Sequence, residues 1–438
     1  MLRGTGSNIY NANLAPALAR LGHEVHLLCQ DREVELPGVQ IHNPDIGGLL
    51  PVYVKDPYEG FEVKAFPELS DAELEHYLDA NVAAVRAVGE AAGGIDAALA
   101  NHLVMGPAIL ARAAVSPYAV KVHGSDLLYT VRPHPDRFVP FAEAGVREAN
   151  GVLVGSRHTA ESLWETVPGL PDLESKTRLG PPGVDVDLFR PSDVRQTGLV
   201  AYLGKLIVSK GVDLLLAAWP LVHARHPQAR LEVAGFGEFE DGLRRLAAAL
   251  ARGDLDDARE VARRGRGLEG GEQARLPILS AFLADPPPGY ADAARAAAGS
   301  VEFVGRLEHD EVSTFLPRAD ALVMSSTFPE AFGMVAVEAA ACGTFPVSAG
   351  HSGMIEVSRQ LAAALPPESA GLLSFPVERG AVAAIAARLD AWLALPDAQR
   401  QQSREALVET VRQLWSWEGV ARGVLIASAG ELDSLPLP

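Results

Sequence analysis

"ADALVMSSTFPEAFGMVAVEAAACGTFPVSAG" occupies residues 319–350. It opens on an apolar run that ends in two serines (321–326). It then turns through Pro329 and Glu330, continues in small and apolar residues, and closes on a second apolar run, "TFPVSAG" (344–350). Strand, turn, helix and strand in that order are the signature of a parallel sheet crossed by helices. Two carboxylates, Glu330 and Glu338, stand among the small residues. An unpaired buried charge costs several kcal/mol or is neutralised by taking up a proton, so both need a reason to be there. The pattern starts the helix near Phe332 or Gly333, with Glu330 just ahead of it and Glu338 about two turns in. The amides of Phe332, Gly333 and Met334 then point toward any anion at the helix start. Eight residues of helix span ~12 Å and turn ~80°. The carboxylate pairs of glycoside hydrolysis stand ~5–9.5 Å apart, so these two are expected to do different jobs and to share no metal. The alternative is that Glu330 complements the helix dipole and Glu338 reaches solvent.

The same alternation runs outward in both directions. "EVHLLCQ" (24–30), "IDAALANH" (95–102), "YAVKVHG" (118–124) and "GVLVGS" (151–156) read as strands, and "LSDAELEHYLDANVAAVRAVGEAA" (69–92) as a helix between them. A Pro/Gly-rich passage, "RLGPPGVDVDLFRPSD" (178–193), interrupts the series. It restarts with "GLVAYLGK" (198–205), "ARLEVAGFG" (229–237), "SVEFVGR" (300–306), "ALVMSS" (321–326), "TFPVSAG" (344–350) and "AGLLSFPV" (370–377). Two such series predict two doubly wound α/β domains, 1–192 and 193–405, facing a cleft. Residues 406–438 are expected to form a helix and tail that cross back to the first domain. Ligands in such sheets bind outside the carboxyl ends of the strands. About fifty residues at 250–299, rich in Ala, Arg, Gly and Asp, are long for a loop. They predict an inserted helical subdomain or lid that shapes acceptor access or an oligomer contact and leaves the ligand site alone. The start is irregular too. Gly4 and Gly6 come within six residues of Met1, too few to supply the first, central strand of ~5–6 residues. The reading expects the natural chain to begin ~10–20 residues upstream with an apolar strand.

The 438 residues are 48% hydrophobic and 21% charged, the profile of a folded soluble protein. The formal charge is −18, and residues 1–192 alone carry 15 Lys+Arg against 25 Asp+Glu, so the acidity is no tail effect. That speaks against nucleic acid as a partner and weakly against anionic membranes, leaving only peripheral membrane contact open. Cys29 and Cys342 lie in apolar surroundings at no metal spacing and read as reduced core thiols, consistent with a cytoplasmic protein. No apolar run approaches the ~20 residues of a membrane span, and the given N-terminus shows no charged-then-apolar pattern of a signal peptide.

Other residues at strand ends are candidates for the same site. In "YLGKLIVSKGVDLLL" (202–216), Lys205 and Lys210 flank a turn between a strand and a helix, where cations suit a diphosphate. Two solvated lysines on a loop would look the same. His123 ends a strand in "VHGSD" (122–126), and a lone histidine there is often structural. "AGFGE" (234–238) is a tight strand-to-helix turn. Gly4 and Gly6 form only part of a dinucleotide fingerprint. Asp185 and Asp187 resemble a metal-binding pair but sit in the linker and read as structural. Zincin, CxxC, nucleophile-elbow and Walker motifs are absent from the sequence.

The order of these pieces resembles the retaining, nucleotide-sugar-dependent glycosyltransferases of family 4, which have the GT-B fold. The carrying residues are the Gly loop with "LARLGHEVHLL", "VHGSD", "VGSRHTAESL", "PPGVDVDLFRP", "LGKLIVSKGVDLLL", "VAGFGE", "VEFVGRLEHDEV", the stretch 319–350 and "SGMIEV". The resemblance covers the chain nearly end to end. It implies that Lys205, Lys210 and the amides after Glu330 hold a donor diphosphate. Glu330 would face the donor sugar hydroxyls and Glu338 the ribose hydroxyls. His123 would lie at the reacting sugar, on the acceptor side. Gly4, Gly6, Gly204 and Gly235 would let backbone approach the donor. It further implies no cofactor and no tightly bound metal, the nucleoside-diphosphate sugar being a co-substrate. The acceptor could be a sugar, a lipid-linked glycan or a small molecule. Three features depart from the pattern. Lys205 stands where the family usually has Arg, which removes a bidentate fork. "HSGMIEV" (351–357) keeps Gly353 but lacks the usual proline. The insertion at 250–299 is extra. A nucleotide-sugar epimerase and a catalytically silent binding protein of the same fold remain alternatives.

Overall fold

The computed structural model describes residues 1–2, 6–54 and 58–438, so Gly4 lies outside the described residues. The chain forms two compact units, Met1–Gly183 with Trp415–Pro438, and Val184–Leu414. It passes from one to the other nine residues before the break read from the sequence.

Among the described residues the first unit contains eight short strands: β1 (Val25–Leu28), β2 (Val39–His42), β3 (Leu49–Val52), β4 (Glu62–Ala65), β5 (Ala98–Asn101), β6 (Tyr118–Val122), β7 (Gly151–Val154) and β8 (Thr177–Leu179). They pair as β1-β2, β3-β4 and β5-β6-β7-β8, always parallel. β6 and β7 are buried along their whole length. Parallel strands covered on both faces lack polar alternation, which is why these two read as continuous apolar runs. The exception is Lys121, whose buried ammonium donates to the Gly180 carbonyl (2.6 Å). Burial pushes this lysine down to about 7, with Asp126 opposing the shift. The helix Asp71–Ala92 starts at a capping box, Ser70 accepting from the Glu73 amide, and ends at Gly93 in the left-handed region. The helix Trp417–Ala429 packs on the helix Gly6–Arg20 and on β6. Trp417 lies against Gly183, where a Cβ would come within 2.7 Å of the indole.

The second unit is one parallel sheet. Its strands are β9 (Leu199–Leu203), β10 (Arg230–Ala234), β11 (Val301–Gly305), β12 (Ala321–Met324), β13 (Phe345–Ala349) and β14 (Ser374–Phe375), in the order β11-β10-β9-β12-β13-β14. The direction of winding reverses between β9 and β12. That switch point is where such sheets leave a crevice at their carboxyl ends. The helix Val212–Arg225 after β9 is buried over most of its length.

Residues 250–299 form packed helices, the helical-subdomain alternative of the sequence reading. The helices Leu255–Arg264, Pro277–Ala284 and Tyr290–Ala296 bury Val261, Leu279, Leu283 and Tyr290. The Tyr290 hydroxyl donates to the Ala217 carbonyl inside the helix Val212–Arg225 (2.6 Å). Excising the segment would open this core. Nor does the segment leave the strand-end turns alone, since the carboxylate of Glu269 accepts from the Val208 amide (2.9 Å).

Candidate active site

At the carboxyl ends of β9 and β10, Gly204 (φ +155°) and Gly235 (φ +148°) pass each other closely. A Cβ on Gly235 would lie 1.8 Å from the Gly204 carbonyl oxygen, so a side chain cannot be accepted there. The chain continues through Lys205, whose Nζ stands 5.8 Å from the Phe236 ring centroid. Arg306, just past β11, covers the same ring at 4.7 Å. The Tyr202 hydroxyl donates to the Lys205 carbonyl (3.1 Å).

Five residues on, Lys210 closes the short turn Val208–Lys210 and forms an ion pair with Glu330. The turn is stitched to the loop after β12. The Thr327 amide donates to the Ser209 carbonyl (2.8 Å), as do the Ser326 and Thr327 hydroxyls, and the Ser325 hydroxyl donates to the Lys210 carbonyl (3.1 Å). Two loops 120 residues apart in sequence thus bring a cation and a carboxylate together at the switch point.

The backbone around Glu330 is held from the third loop, after β13. The Glu330 amide donates to Ser352 Oγ (2.9 Å), and the Gly353 amide donates to the Glu330 carbonyl (2.9 Å). His351 Nε2 lies 2.9 Å from the Ser326 carbonyl, which can only accept, so Nε2 carries the proton. Nδ1 lies 3.1 Å from Ser352 Oγ. A Cβ on Gly353 would fall 2.4 Å from the Ala331 carbonyl oxygen. "HSG" therefore builds the loop carrying Glu330 without the proline expected there. The signal for His351 was available, since it follows the carboxyl end of a strand as Lys205 and His123 do.

The helix begins at Met334, capped by Gly333, which offers no side chain to the first amides. Phe332, Gly333 and Met334 thus lie at its amino end, where the dipole is positive. Glu338 sits in the second turn of this eight-residue helix, which starts one or two residues later than the sequence reading placed it. It is buried, which removes the solvent-reaching alternative, and burial pushes its carboxyl up to about 8.

His123 belongs to the first unit, just past β6. Its Nε2 is 3.0 Å from Asn101 Oδ1 at the end of β5. Burial, with His102 and Lys121 nearby, holds its pKa well below the ordinary value, so the ring is neutral at pH 7. With Oδ1 accepting, Nε2 bears the proton and Nδ1 the lone pair. The rings of Tyr10 (5.0 Å) and His102 (4.8 Å) pack on it. Asp126 is fully buried and accepts from the Leu103 amide. Burial opposes its ionisation, but His102, whose Nδ1 lies 3.7 Å away, and the Leu103 and Leu127 amides outweigh that and lower its pKa. Gly6 opens the helix Gly6–Arg20. Asp185 caps its own turn, accepting from the Asp187 and Leu188 amides (3.0 Å each). Among the described residues no cluster of three or more His, Cys, Asp or Glu is arranged for a metal. Among them, too, no helix is long and apolar enough to cross a membrane.

Two family models match the chain in order: Glycosyltransferase Family 4 over residues 4–188, and Glycosyl transferases group 1 over residues 292–412. A D-inositol 3-phosphate glycosyltransferase of Segniliparus rotundus is 26% identical, the match covering 96% of this chain and 83% of that protein. Among solved structures, the sucrose-phosphate synthase of Thermosynechococcus elongatus superposes with a TM-score of 0.63 at 21% identity, covering 98% of this chain and 94% of that one. The Anabaena protein HepE, solved in complex with UDP and glucose, superposes with a TM-score of 0.58 at 16% identity over 99% and 98% of the two chains. Both likenesses concern the fold. Sequence family and winding of the sheets agree along the chain, which belongs to the family 4 glycosyltransferases and has the GT-B fold.

Proposed function

We propose that this glycosyltransferase takes its sugar from a nucleoside-diphosphate donor and passes it to an acceptor hydroxyl with retention of anomeric configuration. The observation that supports it most is the Lys210–Glu330 pair at the switch point, directly ahead of the amino end of the helix that carries buried Glu338 in its second turn. A diphosphate there meets Lys210, Lys205 and the amides at Phe332–Met334, groups that stabilise charge growing on a leaving phosphate. Glu330 faces the sugar hydroxyls and Glu338 the ribose hydroxyls. The departing phosphate deprotonates the acceptor on the same face of the sugar, so neither a protein base nor a bound metal is required. Neutral His123 serves the reacting sugar as a hydrogen-bonding group. The test is incubation of the chain with UDP-, GDP- and ADP-sugars, with and without an acceptor extract, followed by NMR of the product anomer. Acceptor-dependent transfer with retained configuration is expected. An inverted product, or an isomerised donor formed without acceptor, would overturn the reading.

Glu338 makes the donor site sensitive to pH. Its folded pKa lies above that of an unfolded glutamate, so the folded chain binds the extra proton. The stability it contributes is full below about pH 4.5 and is lost as pH rises toward about 8. Ribose hydroxyls that donate to the carboxylate favour its charged form, so nucleotide binding expels the proton. Nucleoside diphosphate affinity is therefore expected to rise between pH 6 and 8, and part of that rise should vanish in Glu338→Gln. Calorimetry in buffers of different ionisation enthalpy reads the released proton. Identical pH profiles for the two proteins would count against the ribose contact.

A further inference from the structure

We propose that Glu269, carried by the segment 250–299, is a positioning residue for the phosphate-binding turn. The inference rests on the donor reading given above. The turn from Lys205 to Lys210 is tied at both ends by the sheet's own loops. Toward its start, the Leu206 amide donates to the Phe236 carbonyl (2.7 Å) and the Phe239 amide to the Leu206 carbonyl (2.9 Å). Toward its end, the Ser209 carbonyl accepts from the Thr327 amide. Between them the amide of Val208 donates to Glu269 Oε1 (2.9 Å). Val208 is 8% exposed, so water is a poor substitute for that partner. Two residues later comes Lys210, whose place depends on the path of this backbone.

The support behind Glu269 is rigid. It ends the short turn Arg266–Glu269, which begins at Gly265 (φ +45°). A Cβ on Gly265 would lie 2.0 Å from the Ala274 carbonyl oxygen. The Arg266 amide donates to that same carbonyl (2.9 Å), and the Gly271 amide donates to the Arg266 carbonyl (3.1 Å). The preceding helix is buried through Ala258, Val261 and Ala262, and the Leu276 amide donates back to the Ala262 carbonyl (2.8 Å). A carboxylate on such a mount accepts from the backbone at a fixed point, and a charged acceptor makes a stronger bond than a neutral one. The segment thereby transmits its own packing to the turn that carries Lys205 and Lys210.

The experiment uses the full chain with Glu269→Ala and Glu269→Gln. Hydrogen exchange of the peptide covering 204–211, measured without nucleotide, reads the brace itself. Affinity for UDP, GDP and ADP and steady-state kinetics read its effect on the site. In Glu269→Ala the 204–211 amides should exchange faster while peptides in β12 and β13 stay protected. Affinity for the preferred nucleotide and kcat should fall about ten-fold, the scale of leaving one buried amide unpaired. Glutamine retains an acceptor oxygen and should restore both to within about three-fold. Unchanged exchange at 204–211 in Glu269→Ala would overturn the brace. Loosened exchange with wild-type affinity and kcat, or a glutamine variant no better than alanine, would overturn the positioning role. Wild-type protein that binds none of the three nucleotides, yet shows the exchange change, would locate the failure in the donor reading.

Discussion

Asp320→Ala is expected to destabilise the second unit by about 3–5 kcal/mol, the usual cost of stripping a buried ion pair of one partner. For a unit of this size that lowers Tm by roughly 6–20 °C. Asp320 is fully buried just before β12. Its Oδ2 accepts from Arg400 Nη1 (2.8 Å) and from the Gly198 amide (3.0 Å), and its Oδ1 accepts from Arg404. Both arginines come from the helix Asp397–Leu414, one turn apart. Arg195 lies alongside, donating to the carbonyls of Ala319 (2.6 Å) and Cys342 (2.9 Å). Burial, with Arg404 adding repulsion, pushes its pKa down to about 10, so it too stays charged at neutral pH. Asp320, with Asp397 pairing the far side of Arg400, thus balances a group of three guanidinium ions, and it is the fully buried carboxylate of the two. Trp392 closes the site, donating to the Asp320 carbonyl (3.2 Å) and stacking on Phe345 at 3.9 Å. Asp320→Asn keeps an acceptor for Gly198 but no countercharge and should fall between wild type and alanine. Thermal and urea melts followed by circular dichroism check both. A Tm shift below about 3 °C for the alanine variant would mean that water reaches the arginines and that the cluster does not anchor the helix.

Nothing in "PRADALVMSS" announces that role, because the partners of Asp320 come from other parts of the chain. The same distinction runs through the molecule. Strands buried on both faces, β6, β7, β12 and β13, read directly as apolar runs. β3 contains Pro51, β4 is the polar "EVKA" and β8 is three residues long, so none had a pattern to read. β1 and β5 each pair on one edge with a described strand, and neither pairs with the other. Lys205, Lys210, Glu330 and His123 were legible because strand ends in a doubly wound sheet are where ligands bind. Their partners were not. Glu330 is 120 residues from Lys210, His351 holds Ser326 and Ser352 through contacts that no local pattern shows although its strand-end place was readable, and Glu269 sits in a segment whose composition looks like filler.

That hidden pairing decides what the loss of Lys210 does. Lys210→Ala is expected to lower kcat/KM by more than ~10²-fold, the scale of removing a group that stabilises charge in a transition state. On the proposed donor reading, part of the loss is direct, since the leaving diphosphate would forfeit an ammonium. The rest comes from Glu330. In the free chain Lys210 neutralises it, and both side chains are largely shielded from water, with 31% and 21% exposed. Without the lysine an uncompensated carboxylate faces the place where the diphosphate settles, and like charges repel. Affinity for a nucleoside diphosphate should therefore fall along with turnover. Adding Glu330→Gln to Lys210→Ala removes the repulsion and should recover much of the affinity. It should not recover turnover, which still lacks the cation and now lacks a sugar contact. Glu330→Gln alone should leave nucleotide affinity near wild type and depress kcat, since its proposed partner in the reaction is the sugar. The two substitutions are then non-additive in binding, by the ~0.5–3 kcal/mol usual for residues in direct contact. Titration calorimetry on the four proteins of the cycle measures that coupling. Strict additivity, or a Lys210→Ala protein within about three-fold of wild-type kcat/KM, would mean that the pair merely holds two loops together and that the diphosphate lies elsewhere.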